Sequence, residues 1–307
     1  MITKPKHLSR NSSVALIAPA GIVSEQKLEK SISNIKKLSL KPINISPDRK
    51  NYGYLADTDS QRINELNNAF SDNNYKAIFS IRGGYGSLRI LSAINYNLIK
   101  KNPKIFIGFS DITAIQSALF QKNKLVSFHG ILASSNFSDY TIYQLEKLIF
   151  KPEKNYKLPL KSIKILNHGY TQGIIVGGNL SILSSLIGTE YLFNFKNKIV
   201  FIEDVNEPPY KIDKMLNHLI MATNISSAAA IVFGKFYKCE PSDFNSDKKN
   251  SFSIKQIIKN YFNNFKIPII YDVNFGHIDN SLIIPIGIKA KINTKNNEIK
   301  LLEKTVI

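Results

Sequence analysis

The chain has 307 residues, 43% of them hydrophobic, enough apolar side chain for one large or two medium cores, which excludes a disordered chain. Its 41 Lys and Arg against 23 Asp and Glu give a formal charge of +18, which in another setting would point to nucleic acid or an anionic surface. Here the cations are mostly Lys scattered among Asn and Ile, with no Arg-rich arm, zinc-finger spacing or basic aromatic motif, so no nucleic acid partner is expected.

Strands alternate with helices from the start. Residues 14–18 are expected as a first core strand, 25–38 as a helix, 42–45 as a short strand and 59–70 as a helix with acidic and Ser residues at its start. Residues 76–81 form the next strand, followed by the Gly-rich turn "RGGYG" and a helical pattern over 87–94. Strand 105–108, helix 111–122 and strand 125–128 complete a parallel-sheet α/β domain spanning residues 1–135. Residues 136–167 carry turn residues, Lys and Pro and read as a linker with one short helix. Residues 168–307 then form a second α/β domain with a mixed or barrel-like sheet. Its strands are expected at 173–176, 198–203, 229–233, 267–271, 282–290 and 298–302, and its helices at 180–186, 212–221 and 254–262.

Several chemistries are excluded along the way. The single cysteine, Cys239, forms no internal disulfide, and no helix start follows it to activate a thiolate. The apolar run at 14–20 is short and contains Pro19, unlike a secretory segment. No uncharged run approaches the ~20 residues that span a bilayer, so the expectation is a soluble, cytoplasmic chain with no membrane partner. No His-Glu-x-x-His helix or Cys/His cluster is present, so neither a metal nor another cofactor is expected.

The stretch "KIFIGFSDITAIQSALF" puts Ser110 between a strand ending at Gly108 and a helix starting at Asp111. A sharp strand-to-helix turn lifts such a serine to the rim of the sheet as a nucleophile and aims the following N–H at a developing oxyanion. The other reading is a helix N-cap, where serine is favoured, and Ile112 stands where a G-x-S-x-G motif would have its second glycine. A serine nucleophile needs a base and an acid to orient it. Of the five histidines, His7, His168 and His218 lie in polar or amphipathic settings, and His129 follows a strand near the same rim. His277 sits in a Gly-bearing loop between strands, a placement suited to a base reaching across a cleft. Glu203 ends a strongly apolar strand, where it either terminates the strand in water or orients a histidine; Asp204 points to the opposite face if the strand continues. Arg82 offers a planar fork for a carboxylate, or else pairs with Asp111 or caps a strand end.

Taken in order, "VALIAPAG", "GYLADTDSQRINEL", "SIRGGYGSLRIL", "IGFSDITAI", "VSFHG", "GGNLSILSSLIGT", "FIEDVNEPPYKIDKML", "IVFGKF" and "FGHIDNSLIIPIG" make the chain closely resemble the LD-carboxypeptidases, serine peptidases of murein tetrapeptides. The likeness runs through nearly the whole chain. One departure is Ile131, which follows His129–Gly130 where a proline is common in the family. The resemblance implies Ser110 as nucleophile, Glu203 as acid and His277 as base, with backbone N–H groups of Gly84, next to Gly83, and of Asp111 as the oxyanion hole. Because Ser110 lies in one expected domain and Glu203 and His277 in the other, the site is expected between them. The resemblance further implies a homodimer acting in cell-wall recycling on the L,D bond between the diamino acid and terminal D-Ala of a murein tetrapeptide or related muropeptide. Two alternatives are a hydrolase of peptide–nucleotide conjugates conferring antibiotic resistance, and a noncatalytic binding protein on the same fold.

Overall fold

The structure, a computed structural model, describes residues 1–161, 163–244 and 250–307. Residues 162 and 245–249, inside the expected linker and C-terminal domain, lie outside the described residues. The first strands are β1 (Ser13–Ile17), β2 (Lys41–Asn44), β3 (Tyr75–Ser80), β4 (Ile105–Gly108) and β5 (Ser127–His129). β6 (Lys164–Asn167), β7 (Tyr170–Asn179), β8 (Lys198–Val205), β9 (Ala230–Tyr237) and β10 (Ile269–Tyr271) follow. β11 (Ile284–Ile286), β12 (Lys289–Asn293) and β13 (Glu298–Leu301) come last. The α-helices are α1 (Glu25–Lys37), α2 (Asp59–Ser71), α3 (Ser87–Ile90), α4 (Tyr96–Lys101), α5 (Thr113–Asn123) and α6 (Asp139–Leu145), then α7 (Leu180–Ser185), α8 (Pro209–Ala222) and α9 (Ile254–Phe262).

The chain divides into two compact units, the first comprising residues 1–153, 283–287 and 304–307, the second residues 154–282 and 288–303. In the first unit the sheet order is β11-β5-β4-β3-β1-β2, parallel throughout except for the antiparallel edge pair β11/β5. Its central strands are buried on both faces, which is why β1, β3 and β4 read as near-continuous apolar runs. The helices start where short polar side chains satisfy unpaired N–H groups: Ser24 caps α1 and Thr58 caps α2. α5 is buried from Thr113 through Phe120, so it lacks an amphipathic stripe.

The second unit holds a mixed sheet of order β13-β12-β7-β8-β9-β10-β6. The β7, β8, β9 and β10 neighbours run parallel, and β12, β13 and β6 add antiparallel strands at the flanks. α9 begins with a reciprocal capping box between Ser253 and Gln256.

Three sequence expectations are corrected. The run of strands over 282–290 does not all belong to the second sheet: Ile284–Ile286 pairs with β5 in the first sheet, while Lys289–Asn293 pairs with β7 in the second. Pro285 is tolerated because β11 is an edge strand, where no ladder N–H is needed on its outer side. Residues 164–167, read as linker, form β6 because β10 offers an unpaired edge. The helix expected to start at Asp111 starts at Thr113 instead, after a single tight turn over Ser110–Ile112.

Gly177 marks the tightest strand contact in the second unit. Its φ is +119°, and a Cβ there would stand 2.0 Å from the Phe201 carbonyl oxygen on β8. Gly177→Ala is expected to destabilise the protein by more than about 2 kcal/mol in urea unfolding, through both strain and collision. A loss within experimental error of zero would show that β7 and β8 do not approach as described.

Candidate active site

In the first unit the corner after β4 is built for a serine. Gly108 ends the strand, and a Cβ on it would lie 2.3 Å from Ile112 Cγ2, so the chain folds back over Ile112 only because residue 108 is glycine. Phe109 is extended, and Ser110 then takes φ 62°, a left-handed conformation that a β-substituted residue adopts at a cost of roughly 1–2 kcal/mol. Ser110 caps neither the tight turn, whose cap position is Phe109, nor α5, whose cap position is Ile112, so the N-cap reading is set aside. Strained backbone at a strand-to-helix corner, with the serine half-buried, is a pointer to function.

The glycine pair lies against this corner. A Cβ on Gly83 would meet Ser110 Cβ at 3.0 Å and the Asp111 nitrogen at 3.4 Å, so glycine lets the "RGGYG" backbone approach without crowding the serine. Gly84 follows at φ +101°, and the Gly21 N–H donates to the Gly83 carbonyl at 3.1 Å from behind. The Asp111 side chain ties the two turns together. Its buried Oδ2 accepts the Ser87 N–H at 2.8 Å, and burial raises its carboxyl above the usual carboxylate range. The same turn is held from below by Arg62, fully buried, which donates to the Gly86 carbonyl at 3.0 Å and to the Pro19 carbonyl.

Arg82 does not pair with Asp111. Its Nη1 donates to the Ile22 carbonyl, and the guanidinium lines an open pocket with Gly21, Gly84, Tyr54 and Tyr85. The two tyrosines meet edge to face at 5.4 Å. Beside this pocket the positive Arg82, after burial, lowers the pKa of Lys27. His129 is structural: buried, with Nδ1 2.9 Å from Gln116 Oε1 and its ring against Phe109 at 5.0 Å, it packs beneath the serine corner.

In the second unit Glu203 and His277 come together. Glu203 Oε2 accepts from His277 Nδ1 at 2.7 Å, and Glu203 is wholly buried, so it does not end the strand in water. Its Oε1 accepts from Asn179 Nδ2 at 3.2 Å. The carboxylate reaches this position at an irregularity in the β8/β9 register between Ile202 and Asp204, and bulges of this kind re-aim side chains. The His277 loop is pinned to β9 by the Lys235 N–H donating to the Phe275 carbonyl at 2.7 Å. Gly276, at φ +126°, leaves the space in which a Cβ would come 3.2 Å from Glu203 Oε2.

Asn179, Ser181 and Asp204 complete this cluster, and none was singled out as a site residue from sequence, although all three lie in the "GGNLS" and "FIEDV" stretches. Asn179 Nδ2 donates also to Asp204 Oδ1 at 3.0 Å, and Asp204 Oδ2 accepts from the Ser181 N–H and Oγ at 2.9 and 2.5 Å. Burial, then the charge of neighbouring Glu203, pushes the Asp204 carboxyl up to about 6. Cys239 is buried, and burial pushes its thiol up to about 12, so it is no thiolate nucleophile at neutral pH. Among the described residues no group of three or more His, Cys, Asp or Glu side chains is arranged to hold a metal, and no helix is long and apolar enough to cross a membrane.

The raised Asp204 has a consequence for stability. Between its ordinary value of 3.8 and about 6 the folded chain holds a proton that the unfolded chain has released, so this group's contribution falls as pH rises through that window. Asp204→Asn removes the effect. The melting temperature of the variant minus that of the wild type is expected to increase from about pH 4 to about pH 7, and a difference independent of pH would mean that Asp204 is not perturbed.

Comparison with known proteins agrees along the chain. A family model described as the LD-carboxypeptidase N-terminal domain matches residues 14–130, and one described as the LD-carboxypeptidase C-terminal domain matches residues 172–292. A Bacillus subtilis (strain 168) protein named "Probable murein peptide carboxypeptidase" is 36% identical over 297 residues, 95% of this chain and 92% of that one. Among solved structures, an MccF-like protein from Bacillus anthracis str. Ames reaches a TM-score of 0.83 at 27% identity, covering 97% of this chain and 98% of its own. The muramoyltetrapeptide carboxypeptidase from Oxalobacter formigenes reaches 0.81 at 27% identity, covering 94% and 97%.

Proposed function

Since the chain belongs to the LD-carboxypeptidase family, we propose that it is a serine carboxypeptidase that removes the terminal D-Ala of murein tetrapeptides during cell-wall recycling in the cytoplasm, using Ser110, His277 and Glu203. The observation that supports this reading most is the 2.7 Å bond between His277 Nδ1 and the buried Glu203 carboxylate, the pairing that a catalytic imidazole requires. The left-handed Ser110 beside the glycine pair supports it from the other unit.

The chemistry runs as follows. With its Nδ1–H donated to Glu203, His277 presents the Nε2 lone pair as a base. It takes the Ser110 hydroxyl proton as Oγ attacks the carbonyl of the terminal peptide bond, and Glu203 stabilises the imidazolium without taking the proton. The N–H groups of Gly84 and Asp111 hold the oxyanion, each donor contributing about 3–4 kcal/mol in comparable sites. His277 then gives its proton to the departing amino group, the C–N bond breaks, and water, deprotonated by His277, releases the acyl chain from Ser110. Arg82 receives the free terminal carboxylate, its remaining guanidinium donors forming the fork. The homodimer implied by the family is part of the same proposal.

Incubation of the purified protein with murein tetrapeptide, followed by mass analysis, is expected to show loss of D-Ala. Ser110→Ala and His277→Ala are each expected to lower kcat by at least about 10³-fold, and the double variant to be little worse than either alone, because triad members act as a unit. Wild-type turnover in Ser110→Ala would end the serine mechanism. A peptide–nucleotide conjugate forms a second arm of the assay, and its cleavage without cleavage of the tetrapeptide would replace the murein substrate.

Arg82→Lys keeps the charge and loses the fork. It is expected to raise KM for the free acid and to shrink the preference over a C-terminally amidated peptide, with kcat little changed. An unchanged acid-to-amide preference would remove Arg82 from substrate binding.

A further inference from the structure

A cavity in the second unit opens at the carboxyl ends of β9 and β10, and no step of the reaction above uses it. β8, β9 and β10 are adjacent parallel strands, and ligands of such sheets gather beyond their carboxyl ends. Glu203 lies near that end of β8, the strand next to β9. Ile278, the residue after His277, forms part of its wall.

The lining has two characters. Ile254, Ile258 and Ile278 supply an apolar side, while Lys238, Lys255, Glu240 and Asp243 bring both signs of charge to the rim. Asp272, also in the wall, is already neutralised by Lys164 and Lys235. Lys238 and Lys255 take part in no ion pair among the described residues. Glu240 and Asp243 are oriented by a reciprocal cap, in which the Glu240 N–H donates to Asp243 Oδ2 at 2.9 Å; Glu240 Oε2 also accepts the Ile254 N–H at 3.3 Å, and each carboxylate keeps further lone pairs. Lys238 and Asp272, which directly follow β9 and β10, are both held left-handed, at φ 53° and 64°.

We propose that this cavity binds the end of the substrate's diamino acid side chain: its methylenes along the isoleucines, its carboxylate on Lys238 and Lys255, and its ammonium on Glu240 and Asp243. The assignment rests on the murein carboxypeptidase reading. A simple anion would meet the two carboxylates and a simple cation the two lysines, whereas an amino-acid head group satisfies both pairs.

The test uses three tetrapeptides that differ only at the third residue: a diamino acid with a free head group, the same residue with the head-group carboxylate amidated, and lysine. Wild-type kcat/KM is expected to fall about tenfold from the first to either of the others, the effect of losing one charge-assisted contact. Lys255→Ala combined with Lys238→Asn, chosen because Asn tolerates the left-handed backbone, is expected to lower kcat/KM about tenfold for the free head group and to leave the lysine peptide unchanged. An equal loss on all three peptides, or no loss on any, would overturn the proposal while the carboxypeptidase reading stands. Failure of the wild type to cleave any of the three would overturn both.

Discussion

A serine held at φ 62° works against its own backbone preference, and the first unit is arranged around paying that strain. Without Gly108 the strand could not turn back over Ile112, and a side chain in place of Gly83 would crowd Ser110 and the Phe109 carbonyl. Gly108 is a site where a Cβ has no room and is a steric requirement of the corner, while at Gly83 a Cβ would force its neighbours to give. The polar contacts serve the same end. The Asp111 carboxylate, costly to bury alone, accepts the Ser87 N–H and so locks the glycine turn to the serine turn. Arg62 holds the far side of the glycine turn through carbonyl oxygens. A rigid corner of this kind would keep the Gly84 and Asp111 N–H groups fixed before a substrate arrives, as the oxyanion hole proposed above requires.

The second unit answers a different problem, the burial of a carboxylate beside another. Glu203 and Asp204 are adjacent in sequence and both buried, an arrangement that an ideal strand would resolve by pointing them to opposite faces. The irregularity between Ile202 and Asp204 lets the Asn179 amide donate to both carboxylates, while His277 and Ser181 take one each. Asp204 bears the electrostatic consequence in its raised pKa. This leaves Glu203 with a fixed orientation toward the imidazole, the geometry in which an acid sets a histidine's tautomer.

Much of this was legible in the sequence, and the exceptions have physical causes. The alternation of apolar runs with helical patterns identifies the parallel strands, because strands buried on both faces cannot disguise their composition. Ser110, Gly83 and Gly84 stand out because the strand-to-helix corner and the Gly-Gly pair are local signals. The Glu203–His277 pairing spans 74 residues, and no spacing rule predicts it; motif order alone brought the two together. The hydrogen bonds of Asn179 and Asp204 are not legible in the sequence for a related reason, since they form at a register irregularity that no residue type announces. The division of 282–290 between two sheets is equally silent, because Ile284–Ile286 and Lys289–Asn293 are both good strand sequences and only their partners differ.

One regularity links the two units. Among the described residues, four of the eleven non-glycine residues with left-handed backbone, Ser110, Asn206, Lys238 and Asp272, lie just beyond the carboxyl ends of β4, β8, β9 and β10. A parallel strand fixes the direction of everything up to its last ladder bond, so a chain that must present a side chain at the rim has only the next one or two residues in which to turn. Sheet pairing on the strand side, and helix or loop anchoring on the other, over-determine that turn and make the unfavourable dihedral affordable. Ser110 stands at such an end, where the fold can hold a strained residue in place.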